Sequence, residues 1–368
     1  MVVATAEPRS LAAPTPSGPL LALLAAPAAM GVSGPTLALP EAARALAVSP
    51  GAAAWLMTAF GIGMAVGTPL LSAAGGRRGP SRTVQVGAAL VLLGAVLVCL
   101  APNLPLTVAG RALEAVGAAG LNVAAFQFAA RDGSGRVPGI VAIGSAAGGT
   151  TGVFAGAAVA EVLGWRSALV LPVLGLLAVG AVLRGDGWGR SVDGPAREGR
   201  HPRTARLPLD VLRAPGFRTA AGLMLGLATV NFAILYGAPR RVADLTGWGP
   251  TGTGAAASVA ALLGALLSWW LVRAAPGLGT RRVRLILAGG AAVAAALAGF
   301  APWAVAVLAG SAASSLVTAG GQGLLTGPAA EGLPEERRGT AIGLFNLAFL
   351  VGVAVGPASA EGLLTTGT

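Results

Sequence analysis

Apolar runs of about 20 residues, the length a helix needs to cross a bilayer, follow one another along this chain with only short polar breaks. A backbone in hydrocarbon must satisfy its own hydrogen bonds, which a helix does within itself. The sequence therefore predicts an all-α polytopic membrane protein. Spans are expected at about 18–40, 52–74, 84–101, 104–129, 138–162, 167–183, 219–237, 252–272, 284–300, 303–326 and 340–366, eleven in all. The first contains LLALLAAPAAM, which looks like a signal-peptide core, but its length and the ten spans that follow make it an uncleaved helix. Residues 1–17 carry Pro, Ser and Ala without periodicity and are expected to be disordered.

Composition agrees. Hydrophobic residues make up 55% of the chain and charged residues 11%, too few to cover a soluble protein of this size. The 57 glycines suit close helix packing in lipid, where small residues replace the missing hydrophobic drive. Cys99, the one cysteine, lies in an apolar run and reads as a buried structural thiol. His201 stands alone in a loop, so no metal site is expected. GGRRGPSR lacks the ending of a phosphate-binding loop, and no nucleophile is paired with a base. No cofactor is implied, and the chain does not read as an enzyme.

All 25 basic residues are arginine, and the net charge is +11. Their distribution argues against nucleic acid, because they cluster in alternate loops. With the N-terminus inside, twenty arginines fall on the cytoplasmic side against Arg44, Arg166, Arg240 and Arg241 outside, with Arg111 within a span. That asymmetry predicts a multi-pass protein of the cell membrane with a cytoplasmic N-terminus. A polar, Arg-rich linker at 184–217 separates a six-helix bundle, 18–183, from a second bundle, 218–368. Within it RTARLPLDVLRAPGF can form a short surface helix, although a solvated tether is the simpler reading.

A weak internal repeat links the two halves. Gly139, Gly148 and Gly152 share their spacing with Gly343, Gly352 and Gly356, displaced by 204, and the same displacement carries Arg77-Arg78 onto Arg281-Arg282. LAPNLPLTVAG at 100–110 lies over FAPWAVAVLAG at 300–310. By this register the second half has five helices and stops where a sixth is expected, which would leave residue 368 outside.

Several of these motifs resemble the major facilitator superfamily, and within it the drug–proton antiporters. The Gly- and Arg-rich loop PLLSAAGGRRGPSR, with Arg77, Arg78, Gly79 and Arg82, is similar to the family's gating loop, although Gly76 stands where an acid is usual. RALEAVGAAGL is similar to its fourth helix, with Arg111 in place and Glu114 where a glutamine is usual. Gly139, Gly148, Gly152 and Gly156 resemble the antiporter glycine motif, with Val153 replacing a proline. The resemblance implies two six-helix bundles, the second lacking its last helix, and a monomer that moves a small molecule using protons as the coupling ion.

On the chain itself, Arg111, Glu114, Ala118 and Asn122 fall on one face of the fourth span at helical spacing. Ionisable groups at membrane depth are expensive and usually face a partner or a cavity. Glu114 is therefore a candidate proton carrier held by Arg111, with a static ion pair as the alternative. Asn231, Gln322 and Asn346 are substrate candidates, each more often an interhelical hydrogen bond. Gly148, Gly152 and Gly156, with Gly352, Gly356 and the kinking Pro357, are expected either to hinge or to pack closely. The resulting expectation is proton-coupled efflux of small amphipathic molecules. A metabolite importer, or a degenerate membrane protein that no longer transports, are the alternatives.

Overall fold

A computed structural model of the chain describes residues 16–129, 136–185 and 209–365. The expected disordered tail to residue 15, the loop arginine Arg131, and linker residues 186–208 with His201 lie outside the described residues. In order, the elements are α1 (Gly18–Ser33), a 3-10 turn (Gly34–Leu37), α2 (Leu39–Ala45), α3 (Pro50–Arg78), α4 (Pro80–Leu100), α5 (Leu104–Ala129), α6 (Arg136–Leu163) and α7 (Trp165–Leu169). A second 3-10 turn (Leu171–Gly175) leads to α8 (Leu176–Gly185), and then come α9 (Leu209–Arg213), α10 (Pro215–Thr246), α11 (Pro250–Ala274), α12 (Gly279–Phe300), α13 (Ala304–Ala330) and α14 (Glu335–Thr365). Among the described residues nine helical stretches are long and apolar enough to cross a membrane, and two shorter apolar helices cover Ala147–Leu163 and Leu171–Arg184.

Local chemistry places the boundaries. Prolines open α3, α4, α10 and α11, where a missing N–H costs nothing. Gly79 and Gly164, at φ 82° and 84°, reverse the chain in one residue, a conformation costly for any side chain. The first and sixth spans, expected as single helices, are broken. Pro35 and Pro172 cannot donate to the carbonyl four residues earlier, and a 3-10 turn follows each break. The seventh span runs past its expected end at 237 to Thr246. Pro239 inside it is tolerated, and Arg240 and Arg241 carry their charge at the helix end. The linker's closing segment is partly helical: α9 buries Val211, and its Asp210 pairs with Arg337 at 3.1 Å.

Within each half the helices pack through small residues in the same manner. A Cβ on Gly110 would sit 3.0 Å from the Gly94 carbonyl and the Val98 nitrogen, and one on Gly310 would sit 2.9 Å from the Ala294 carbonyl and the Ala298 nitrogen. These contacts are displaced by 200 residues, so the sequence repeat is also a structural one. The outward faces are apolar. Leu92, Leu93, Val96 and Leu100 are exposed on α4, whose opposite face packs on α5. Cys99 shares that outward face and is exposed, not buried as the sequence suggested, because α4 is peripheral. Trp269 and Trp270 are exposed near the end of α11, and Trp55, Trp248 and Trp303 are exposed at or near the starts of α3, α11 and α13.

The halves meet towards one end. The α3–α14 and α6–α11 pairs carry most of the contact, with α10 touching the 3-10 turn at 34–37. Gly61 lies on the backbone of Ala354, with its would-be Cβ 2.6 Å from that Cα, and Gly254 approaches the Val153 carbonyl. The Phe154 N–H donates to Ser258 Oγ at 3.1 Å, and Thr251 Oγ1 donates to Glu161 Oε2. All of these residues sit in the halves of their helices remote from Gly18 and the linker.

Candidate functional site

Arg111 and Glu114 on α5 are both fully buried, and Arg111 Nη1 donates to Glu114 Oε2 at 2.9 Å. The guanidinium is held by four elements. Its Nη2 donates to the Gly31 carbonyl at 2.7 Å, Nη1 to the Leu169 carbonyl, and Nε to the Leu56 carbonyl at 3.4 Å, while Phe60 stacks on it with 4.1 Å to the ring centroid. Two of these acceptors are available because of the helix breaks. Pro35 has no N–H for Gly31, and the Val173 N–H bonds Val170 in place of Leu169. The broken first and sixth spans and Arg111 are thus one arrangement: the breaks release carbonyls, and the arginine collects them.

Glu114 faces α4, where Gly94 makes room for it; a Cβ on Gly94 would lie 2.7 Å from Glu114 Cβ. Glu114 Oε1 is buried without a hydrogen-bond partner in this conformation. Of the expected face, Arg111, Glu114 and Ala118 all point into the first half, whereas Asn122 is half-buried and donates to Ser145 Oγ on α6 at 3.2 Å. The pair therefore sits inside the first half and does not line the space between the halves.

The remaining candidates are dispersed. Asn231 on α10 accepts from Ser314 Oγ on α13 at 2.9 Å, and Thr318 donates to the Leu227 carbonyl beside it. Gln322 is half-buried further along α13, and Asn346 is exposed on α14. Gly148, Gly152 and Gly156 all pack α6 on α1: would-be Cβ atoms fall on the Ala26 carbonyl, on Ser33 Oγ, and on the Gly34 carbonyl. Gly352 and Gly356 pack α14 on α10 in the same way, with Cβ positions 2.8 Å from the Leu225 and Thr229 carbonyls, and Pro357 is buried next to them. Gly343, their sequence partner, meets open space, and the surroundings of Gly139 lie outside the described residues. Gly79 forms the α3–α4 turn and Arg82 is exposed beside it, while the side chains of Arg77 and Arg78 lie outside the described residues.

Sequence reasoning missed Phe60, the carbonyls of Gly31 and Leu169, and the contacts Glu161–Thr251 and Phe154–Ser258. Pro35 was the visible signal for Gly31, since a proline marks a free carbonyl four residues back. Nothing local marks the others, because each depends on which helices become neighbours.

Two bundles related by an internal repeat, a buried Arg–Glu pair and glycine seams form a consistent set, and residues 20–357 match the Major Facilitator Superfamily. The chain belongs to the major facilitator superfamily. Among solved structures, this major facilitator is similar to a bacterial homologue of the human lysosomal transporter Spinster, in its inward-facing, unoccupied conformation. The TM-score is 0.68 at 16% identity, covering 95% of this chain and 84% of that one. The same homologue in its inward-facing, occupied conformation gives 0.67 at 16% identity, covering 95% and 83%. Comparison with characterised sequences finds no match. The fold is that of a membrane transporter, not of an enzyme.

Proposed function

We propose that this major facilitator is a secondary active transporter that exports small amphipathic molecules against a proton gradient by rocking its two halves. The observation that carries the reading is the one-ended seam. Gly61–Ala354 and Gly254–Val153 bring the halves together through small residues, with hydrogen bonds from Phe154 to Ser258 and from Thr251 to Glu161. The contact between the halves is confined to one end, so they can part there as units while the glycine seams within each half stay closed. The scarcity of charged residues within the spans, with isolated polar groups such as Asn231, suits hydrophobic or weakly basic cargo. The unpartnered Oε1 of Glu114 supports a role in carrying the proton, since a carboxylate with a spare acceptor has a place to bind one.

The test is flux of a lipophilic cationic dye in proteoliposomes with an imposed pH gradient. Glu114→Gln keeps the shape but cannot ionise, so it is expected to abolish uphill accumulation and retain some downhill exchange. Equal proton-driven accumulation by wild type and variant would sink the coupling role and leave Glu114 as half of a static ion pair.

Orientation is tested separately. Arginine lies mainly in the loops on the side of Gly18 and the linker, so that side is expected in the cytoplasm, with the contacting ends of the halves facing outward. In a Cys99→Ser background, a cysteine at Ser81 should stay unlabelled by an impermeant maleimide in intact cells, and one at Ser49 should react. The opposite pattern overturns the orientation.

A further inference from the structure

Arg44, Arg166, Arg240 and Arg241 fall on the side of the bundle that arginine otherwise avoids. Two of them bond backbone. Arg166 Nη2 donates to the Ala101 carbonyl at 2.8 Å and Arg241 Nη2 to the Ala301 carbonyl at 3.0 Å, so they cap the ends of α4 and α12. The other two converge. Arg44 lies in the last turn of α2 in the first half, Arg240 stands on α10 in the second, and both line one open cleft of about 430 Å³. Pro40, Ala43, Val48 and Pro50 supply its apolar walls. Among the described residues the lining holds two arginines and no acid. Glu41 and Asp244, exposed about one turn from the arginines, are not part of it.

The cleft straddles the seam between the halves. Tyr236, the one tyrosine of the chain, belongs to α10 but is fully buried in a cluster with Ala38, Leu39 and Ala42 of the first half. Arg240 stacks on its ring at 4.2 Å from the centroid and donates to its hydroxyl, which fixes the guanidinium at the seam. Arg44 is exposed and donates through Nε to the Pro40 carbonyl at 3.4 Å, so its two Nη groups stay available to a ligand. We propose that this cleft binds a phosphate-type oxyanion, which bridges Arg44 and Arg240 and holds the contacting ends of the halves together. A tetrahedral oxyanion offers oxygens to two planar guanidinium groups at once, and its charge relieves the repulsion between them. The cleft has room for more than a bare ion, and its apolar walls suit the carbon stem of a lipid phosphodiester as well as free phosphate. Because one arginine belongs to each half, the site is complete only while the halves touch. A ligand that binds one state better shifts the population towards it. That consequence rests on the rocking reading, whereas binding itself does not.

The experiment reads the unfolding temperature of the purified full-length protein in detergent. Sodium phosphate is titrated against sodium chloride at equal ionic strength, and phosphatidylglycerol against phosphatidylcholine in mixed micelles. Phosphatidylcholine carries the same phosphodiester without net charge. A saturable rise with phosphate assigns the free ion, and one with phosphatidylglycerol alone assigns the lipid headgroup. Arg44→Gln alters an exposed side chain, so it should fold as wild type does. Its half-saturation is expected about tenfold higher, for one lost charge-assisted hydrogen bond, and Arg240→Gln should do the same. No saturable rise with either probe, or an undiminished one in Arg44→Gln, overturns the assignment. Closure is read in protein carrying Cys99→Ser and Ser258→Cys, since Ser258 bonds Phe154 across the seam. Maleimide labelling there should slow with whichever probe binds, and an unchanged rate overturns the bridge. Neither readout needs flux, so a protein that binds the anion but moves no substrate would overturn the transport reading and leave this site standing.

Discussion

Arg111→Ala is expected to remove most of the folded protein, the largest loss from any single substitution in the chain. The guanidinium is fully buried and ties α1, α3 and the α7 end to α5 through backbone carbonyls. Truncation strands those acceptors and leaves Glu114 as an unpaired carboxylate at membrane depth. Removing one partner of a buried pair costs roughly 3–5 kcal/mol, against a total stability of about 5–15 kcal/mol for a typical domain. Arg111→Lys keeps the charge but not the planar fork, so it should be intermediate. The readout is monodisperse yield and unfolding temperature in detergent. Arg111→Ala combined with Glu114→Ala should recover part of the loss, because the stranded charge goes with its partner. A fully stable Arg111→Ala protein would show that the arginine does not hold the first half together.

Gly148→Leu and Gly152→Leu are expected to abolish dye transport while the protein still inserts and extracts as a single species. The glycines let α6 lie on α1, and a Cβ at Gly152 would already be 3.1 Å from the Met30 Cα, besides striking Ser33 Oγ. Forcing a leucine into such a seam costs about 1–3 kcal/mol, enough to trap one arrangement of helices without dissolving the bundle. Gly343→Leu is the control. It belongs to the same repeated glycine set, as the counterpart of Gly139, but meets open space, so its effect should stay within roughly 0.5 kcal/mol, with flux intact. Normal flux in both seam variants would remove the hinge reading. Loss of folded protein in both would make the seam purely one of packing.

Membrane class and the succession of apolar helices were legible in the chain because they depend on period and composition, although nine of the eleven expected spans are long enough to cross among the described residues. Of the glycines displaced by 204, Gly148 and Gly152 pack on α1 and their counterparts Gly352 and Gly356 on α10, whereas Gly343 meets open space. The breaks in the first and sixth spans were missed, although Pro35 and Pro172 announce them, because hydropathy averages across a proline. Cys99 was misplaced for a related reason: an apolar run shows that a residue is out of water, and not whether it faces protein or lipid.

What the sequence by itself determined is the set of elements and the chemistry each carries: apolar helices, arginine-rich breaks on alternate sides, one charged pair at membrane depth, and two halves built alike. Helical hydrogen bonding and the cost of charge in hydrocarbon are local, so each can be read within a few turns of chain. The tertiary structure alone decided what surrounds the charged pair. Gly31, Leu56 and Leu169 are 80, 55 and 58 residues from Arg111, and the carbonyls it receives from them depend on four helices meeting at one depth. It also decided that Asn231 on α10 accepts from Ser314 on α13, a pairing of residues 83 apart in sequence. Contacts between distant segments follow from how the bundle closes, and no local period encodes them.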